Sequence, residues 1–120
     1  MPHTVSEHSK SAGLPSDLKP FFIDLHRQLA ATGIVELPRL KGRSVRHEDV
    51  VVADSTDLAF IFLQLAVLSG RSLEQRQQLS EVSAGVLKKW AGVWKLKNVA
   101  SITVEVREIE NETHQRVTLD

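Results

Sequence analysis

The chain has 120 residues, 15 Lys plus Arg against 15 Asp plus Glu, and no cysteine. That is the size of one domain, and it excludes disulfides, thiolate metal sites and a cysteine nucleophile. The longest apolar stretch, Leu58 to Leu68 with Gln64 inside it, falls far short of the roughly 20 residues that cross a bilayer, and residues 1–14 lack a leader's apolar run, so the expectation is a soluble, cytoplasmic protein.

Zero net charge conceals a gradient. Residues 38–98 hold ten basic and six acidic side chains, and residues 99–120 hold two and five. A basic middle and an acidic end point to a charged partner, or to segments that steady one another.

Residues 1–15 are rich in Ser, His, Gly and Pro and read as a flexible tail, leaving residues 16–120 as the folded domain. A first helix is predicted over Ser16 to Thr32, with Ser16 as its cap. Phe21, Phe22, Leu25 and Leu29 form its apolar face, and Gly33 stops it. Ile34 to His47 is irregular and basic, and Glu48 to Ala53, with Val50, Val51 and Val52 in a row, suggests a short, mostly buried strand. The Leu58–Leu68 run, apolar all round, predicts a buried helix over Ser55 to Ser69 at the centre of the core.

Ser72 with Gln75 offers a capping box for a helix reaching Lys97, whole or broken near Gly85. Ile102, Val104 and Val106 alternate with polar residues, and Arg116 to Asp120 reads as a returning strand, so the chain should end in a β-hairpin. No internal repeat is visible. The fold class that follows is α+β: three to four helices around a small antiparallel sheet, an order also compatible with a winged helix.

No catalytic motif is apparent. None of His3, His8, His26, His47 and His114 has a partner at helical ligand spacing, and His47-Glu48-Asp49 stands alone. There is no phosphate loop or nucleophile elbow. The sequence therefore reads as a non-enzyme without cofactor or metal: a regulatory protein that binds another protein or a second copy of itself, as in a homodimer.

The expected contact surface has two parts. Arg39, Lys41, Arg43 and Arg46 form a basic strip on a loop. Lys88, Lys89, Trp90, Trp94, Lys95 and Lys97 form a second patch that should meet the first on one face, because Trp and Arg are the residue types that anchor interfaces. The alternative partner is DNA, held by the same lysines. The acidic residues of the expected hairpin and a pI near 7 weigh against it.

Overall fold

Two βαβ units, one after the other, make the fold. The computed structural model describes residues 2–119. The first unit is β1 (His3–Ser9), α1 (Lys19–Ala31) and β2 (Lys41–His47), and the second is β3 (Ala59–Leu68), α2 (Leu73–Trp94) and β4 (Val99–Ile109). The strands form one mixed sheet in the order β2-β1-β3-β4. β1 is parallel to β2 and β3 to β4, while β1 and β3 meet antiparallel at the centre. Each parallel pair is closed by a helical crossover, as parallel pairing requires. The chain thus carries a structural repeat that leaves no visible trace in its sequence.

The expected helical core is overturned: the described residues form two α-helices, not three or four, and a four-stranded sheet. The decisive error concerns Leu58–Leu68. Along β3 the side chains alternate strictly: Ala59, Ile61, Leu63, Leu65 and Val67 are buried, and those between are half-buried. A central strand with neighbours on both sides is apolar on both faces and so mimics an all-round apolar helix. Its Ile, Val and Phe content is the clue that favours a strand.

The expected flexible tail is also overturned. Residues 3–9 form β1, an inner strand paired on both sides. Its core-facing residues are Thr4, Ser6 and His8, all buried. Because they are polar, the apolar alternation that reveals a strand is absent. Thr4 is satisfied: its hydroxyl lies 2.8 Å from His26 Nε2 and donates to the Lys41 carbonyl at 3.0 Å.

Both helices cover the same face of the sheet. α1 buries Phe21, Phe22, Leu25 and Leu29, and α2 buries Leu79, Val86 and Leu87, all against Ile61, Leu63 and Leu65. Phe21 meets Trp90 and Trp94 edge-on at 6.3 and 5.4 Å. The Asp24 carboxylate accepts from Trp90 Nε1 at 2.8 Å and from Lys89 Nζ at 3.0 Å, which ties α1 to α2.

α2 runs unbroken through Gly85 and Gly92, and it opens on the Ser72–Gln75 capping box that its sequence announces. The expected Glu48–Ala53 strand is bend and turn with one isolated bridge, and the pairing strand is the basic segment before it. The expected hairpin is absent as well. β4 pairs in parallel with β3, and residues 116–119 form no strand, Asp120 lying outside the described residues. With neither a wing nor a helix over residues 55–69, the winged-helix order is lost.

Candidate active site

His3 stands opposite Lys41 on one side and Ala66 on the other. The residue before β1, the start of β2 and the end of β3 therefore gather at one end of the sheet. Two connections close over this end. The first leaves α1 through Gly33, whose φ of 77° places it in the left-handed region where glycine is least strained, and continues to a 3₁₀ turn at Leu37–Arg39. The second joins β3 to α2 through Arg71. Between them lies a cavity of about 280 Å³ lined by Pro2, Gly33, Ile34, Glu36, Arg39, Leu68 and Arg71.

Each polar wall has a defined hold. Pro2 is buried, and its carbonyl accepts from Lys41 N–H at 3.2 Å. Arg71 is half-buried. Its Nε and Nη2 both donate to the Ile34 carbonyl at 3.3 Å, and its Nη1 donates to the Leu68 carbonyl at 3.2 Å. Those carbonyls fix the guanidinium but bring no negative charge. Among the described residues Arg71 has no carboxylate partner. A guanidinium has five N–H donors, so two remain for a ligand. Arg39 differs: its Nε lies 2.8 Å from Glu36 Oε2, and both side chains are largely exposed. Two guanidiniums against one carboxylate leave the cavity cationic, with the planar donors that suit a carboxylate ligand.

His3 follows Pro2 directly. Burial, then Arg43 and Lys41, pushes its pKa below the ordinary value. Its Nδ1 lies 3.3 Å from Arg43 Nη1. A guanidinium only donates, so Nδ1 accepts and the ring is neutral. Among the described residues no three His, Asp or Glu side chains gather as a metal site. A larger groove of about 480 Å³ runs between α2 and β4. Its walls are Ala84, Leu87, Ala91, Ile102 and Val104 beside Ser80, Glu81 and Lys88. It lacks the convergent cations of the smaller cavity, so size does not choose the site.

Of the residues singled out from sequence, only Arg39 lines the cavity. Lys41, Arg43 and Arg46 lie on β2, an edge strand. Strand alternation sends Lys41 and Arg43 to the face without helices and Arg46 to the other. Lys41 Nζ donates to the Arg39 carbonyl at 2.9 Å. Trp90 and Trp94 pack on the core cluster. Lys89 is held by Asp24, Lys88 borders the α2–β4 groove, Lys95 caps α2 at φ 52°, and Lys97 N–H donates to the Ala12 carbonyl. Sequence reading missed Pro2, Glu36 and Arg71. The available signal was a lone arginine just after a strand, where loops carry binding residues.

A model of the 5-carboxymethyl-2-hydroxymuconate isomerase family matches residues 2–118. The chain belongs to this family. The 5-carboxymethyl-2-hydroxymuconate Delta-isomerase of Escherichia coli is 30% identical over 110 residues, which span 91% of this chain and 87% of that protein. Among solved structures, a 5-carboxymethyl-2-hydroxymuconate isomerase from Deinococcus radiodurans R1 superposes with a TM-score of 0.81 at 20% identity, covering 98% of this chain and 90% of that one. A fused 4-OT wild-type symmetric trimer gives 0.74 at 13% identity, covering 95% and 90%. Membership in an isomerase family overturns the expectations of a non-enzyme, of a regulatory binding protein and of a DNA-binding regulator. No helix among the described residues is long and apolar enough to cross a membrane.

Proposed function

We propose that this chain isomerises a carboxylate-bearing enol or dienol, moving a double bond by carrying one proton from oxygen to carbon. The observation that carries the reading is the cavity itself: a buried Pro2 beside two guanidiniums, one of them without a carboxylate partner among the described residues. The substrate named for the Escherichia coli relative is a muconate, a dicarboxylate, with a further carboxymethyl group and an enolic hydroxyl. Such a molecule needs cationic, planar carboxylate holders and a proton carrier.

Arg71 and Arg39 supply the first requirement. The second falls to Pro2. Neither guanidinium gives up its proton in a protein, and Glu36 is engaged by Arg39. Within a chain, a prolyl nitrogen is an amide and has no basicity. Removal of Met1 would make it a secondary amine. A free α-amino group has a pKa of about 7.7–8.0, close to where a general base works best at neutral pH, and neighbouring positive charge favours its uncharged form.

The step balances without a co-reactant. The amine takes the proton of the substrate hydroxyl. The oxygen's electron pair forms the C=O bond and the conjugated double bonds shift. The distal carbon then takes the proton back from the ammonium. Arg71, fixed by carbonyls before substrate arrives, holds one carboxylate without reorganising.

Self-association accompanies this reading. The sheet face opposite the helices carries Val5, Phe60, Phe62 and Ala66 half-buried and Val45 40% exposed. This uncovered face, where those apolar side chains stand among polar ones such as Lys41, Arg43 and Gln64, is suited to other copies of the chain, and the fused 4-OT neighbour is a symmetric trimer. Light scattering on the purified protein gives the copy number.

The test of function is ultraviolet-monitored turnover of 5-carboxymethyl-2-hydroxymuconate. The expected result is catalysis in a protein whose intact mass lacks Met1, with kcat/KM falling on the acid side as one proton is taken up. No turnover, or turnover by a protein that retains Met1, would sink the reading.

A further inference from the structure

We propose that Glu36 determines specificity in this cavity, acting as an internal carboxylate that competes with the substrate for Arg39. This rests on the carboxylate-binding reading above and deepens it. The two arginines are not equivalent. Arg71 is immobilised by carbonyl oxygens, which neutralise none of its charge. Arg39 already holds a carboxylate, Glu36 Oε2 at 2.8 Å from its Nε.

That bond sits on the Nε edge of the guanidinium. Carboxylates are bound in two-pronged fashion either there or at the end formed by the two Nη atoms. Glu36 thereby closes one of the two docking edges of Arg39 and sets a like charge beside the other. A first substrate carboxylate goes to Arg71, which no carboxylate among the described residues holds. A second must approach Arg39 alongside Glu36 or displace it.

The backbone explains why Glu36 is where it is. Arg39 N–H donates to the Glu36 carbonyl at 3.1 Å across the 3₁₀ turn, which puts the two side chains on one side of the cavity rim. Their exposures of 51% and 72% keep the ion pair weak enough for a ligand to break. The pair thus sets how much a second carboxylate is worth to a ligand, and so how strictly the site selects dianions over monoanions.

Calorimetric titration with adipate and hexanoate, six-carbon chains with two carboxylates and one, tests this in the full-length protein. Glu36→Gln keeps the shape and removes the charge, and so exposed a side chain poses no hazard to folding. Adipate should bind up to about fivefold more tightly to Glu36→Gln than to the unaltered protein, the worth of an exposed ion pair. Hexanoate affinity should be unchanged, and Arg39→Ala should erase the adipate gain. If Glu36→Gln weakens adipate or leaves it unchanged while both ligands still depend on Arg71, the competitor role is refuted and the carboxylate site stands. If neither ligand binds the unaltered protein at millimolar concentration, the carboxylate site falls and this inference falls with it. Because the readout is binding, neither result turns on whether Pro2 is the base.

Discussion

Replacing Arg71 with Ala should cost stability and activity by separable amounts. Arg71 joins the α1–β2 connection to the β3–α2 connection through three N–H···O bonds to two carbonyls, at 3.2–3.3 Å. Hydrogen bonds involving a charged group are worth about 1.5–3 kcal/mol each when buried. The site is half-buried and water can replace the lost donors, so the net cost falls to about 1–2 kcal/mol in all. For a chain of this length that lowers Tm by about 3–10 °C. The activity loss adds to this. Deleting a charged donor aimed at a substrate carboxylate removes about 2–4 kcal/mol, or about 30- to 1,000-fold in kcat/KM.

Lys at position 71 keeps the charge but cannot bridge two carbonyls and still present a fork, so it should fall between the two. Thermal melts by circular dichroism, with the ultraviolet turnover assay on the same samples, separate the terms. An Arg71→Ala protein that loses the expected stability yet keeps kcat/KM within about threefold would show Arg71 to be only a clamp between loops, and the anion-binding argument would be wrong.

Two further predictions concern the scaffold. A Cβ on Gly42 would stand 2.6 Å from Phe22 Cδ1 and 2.9 Å from Thr4 Oγ1, so Gly42→Ala should cost about 1–3 kcal/mol through overpacking between β2 and α1, read as a lower urea midpoint with an unchanged slope. His8 and His26 have pKa values held below the ordinary value, by burial first in each case, with Arg46 and His47 adding to it at His8. The ring nitrogens of His8 have no hydrogen-bond partner among the described residues. The unfolded chain therefore binds more protons. Stability should be whole above about pH 6.5 and decline as pH falls from there through the lowered folded values. Melts from pH 7.5 to 5 should show this, and His8→Phe should flatten the slope; an unaltered slope would remove His8 from the account.

How legible the molecule was depends on where polarity sits. α1 and α2 were readable because each has a one-sided apolar stripe, and the Ser72–Gln75 box marks one start. β4 showed through its alternation of Ile102, Val104 and Val106 with polar residues. β3 was hidden by its central position, which makes both of its faces apolar, and β1 was hidden by the reverse. Thr4 and Ser6 are buried polar residues, and only the folded structure shows that Thr4 is satisfied by His26 and the Lys41 carbonyl. With β3 read as a helix there is no parallel pairing of β3 with β4, and the end of the sheet where the cavity forms does not exist.

The site was less legible than the fold. Arg39 drew notice as one of a basic run, but its neighbours Lys41, Arg43 and Arg46 lie outside the cavity. Pro2 falls in the segment that reads as a flexible tail. Its nearness to Arg71, 69 positions along the chain, arises only from the antiparallel pairing of β1 with β3.

The most direct measurement on the proposed chemistry is a single-residue insertion: one Ala between Met1 and Pro2, assayed for turnover after intact mass has established the mature N-terminus. Pro2 then stays in its cavity with both arginines, but its nitrogen is an amide without basicity. The expected result is a folded protein whose kcat falls by about 10²- to 10⁴-fold, the usual worth of a general base. A folded insertion variant that turns over substrate at the unaltered rate would contradict it.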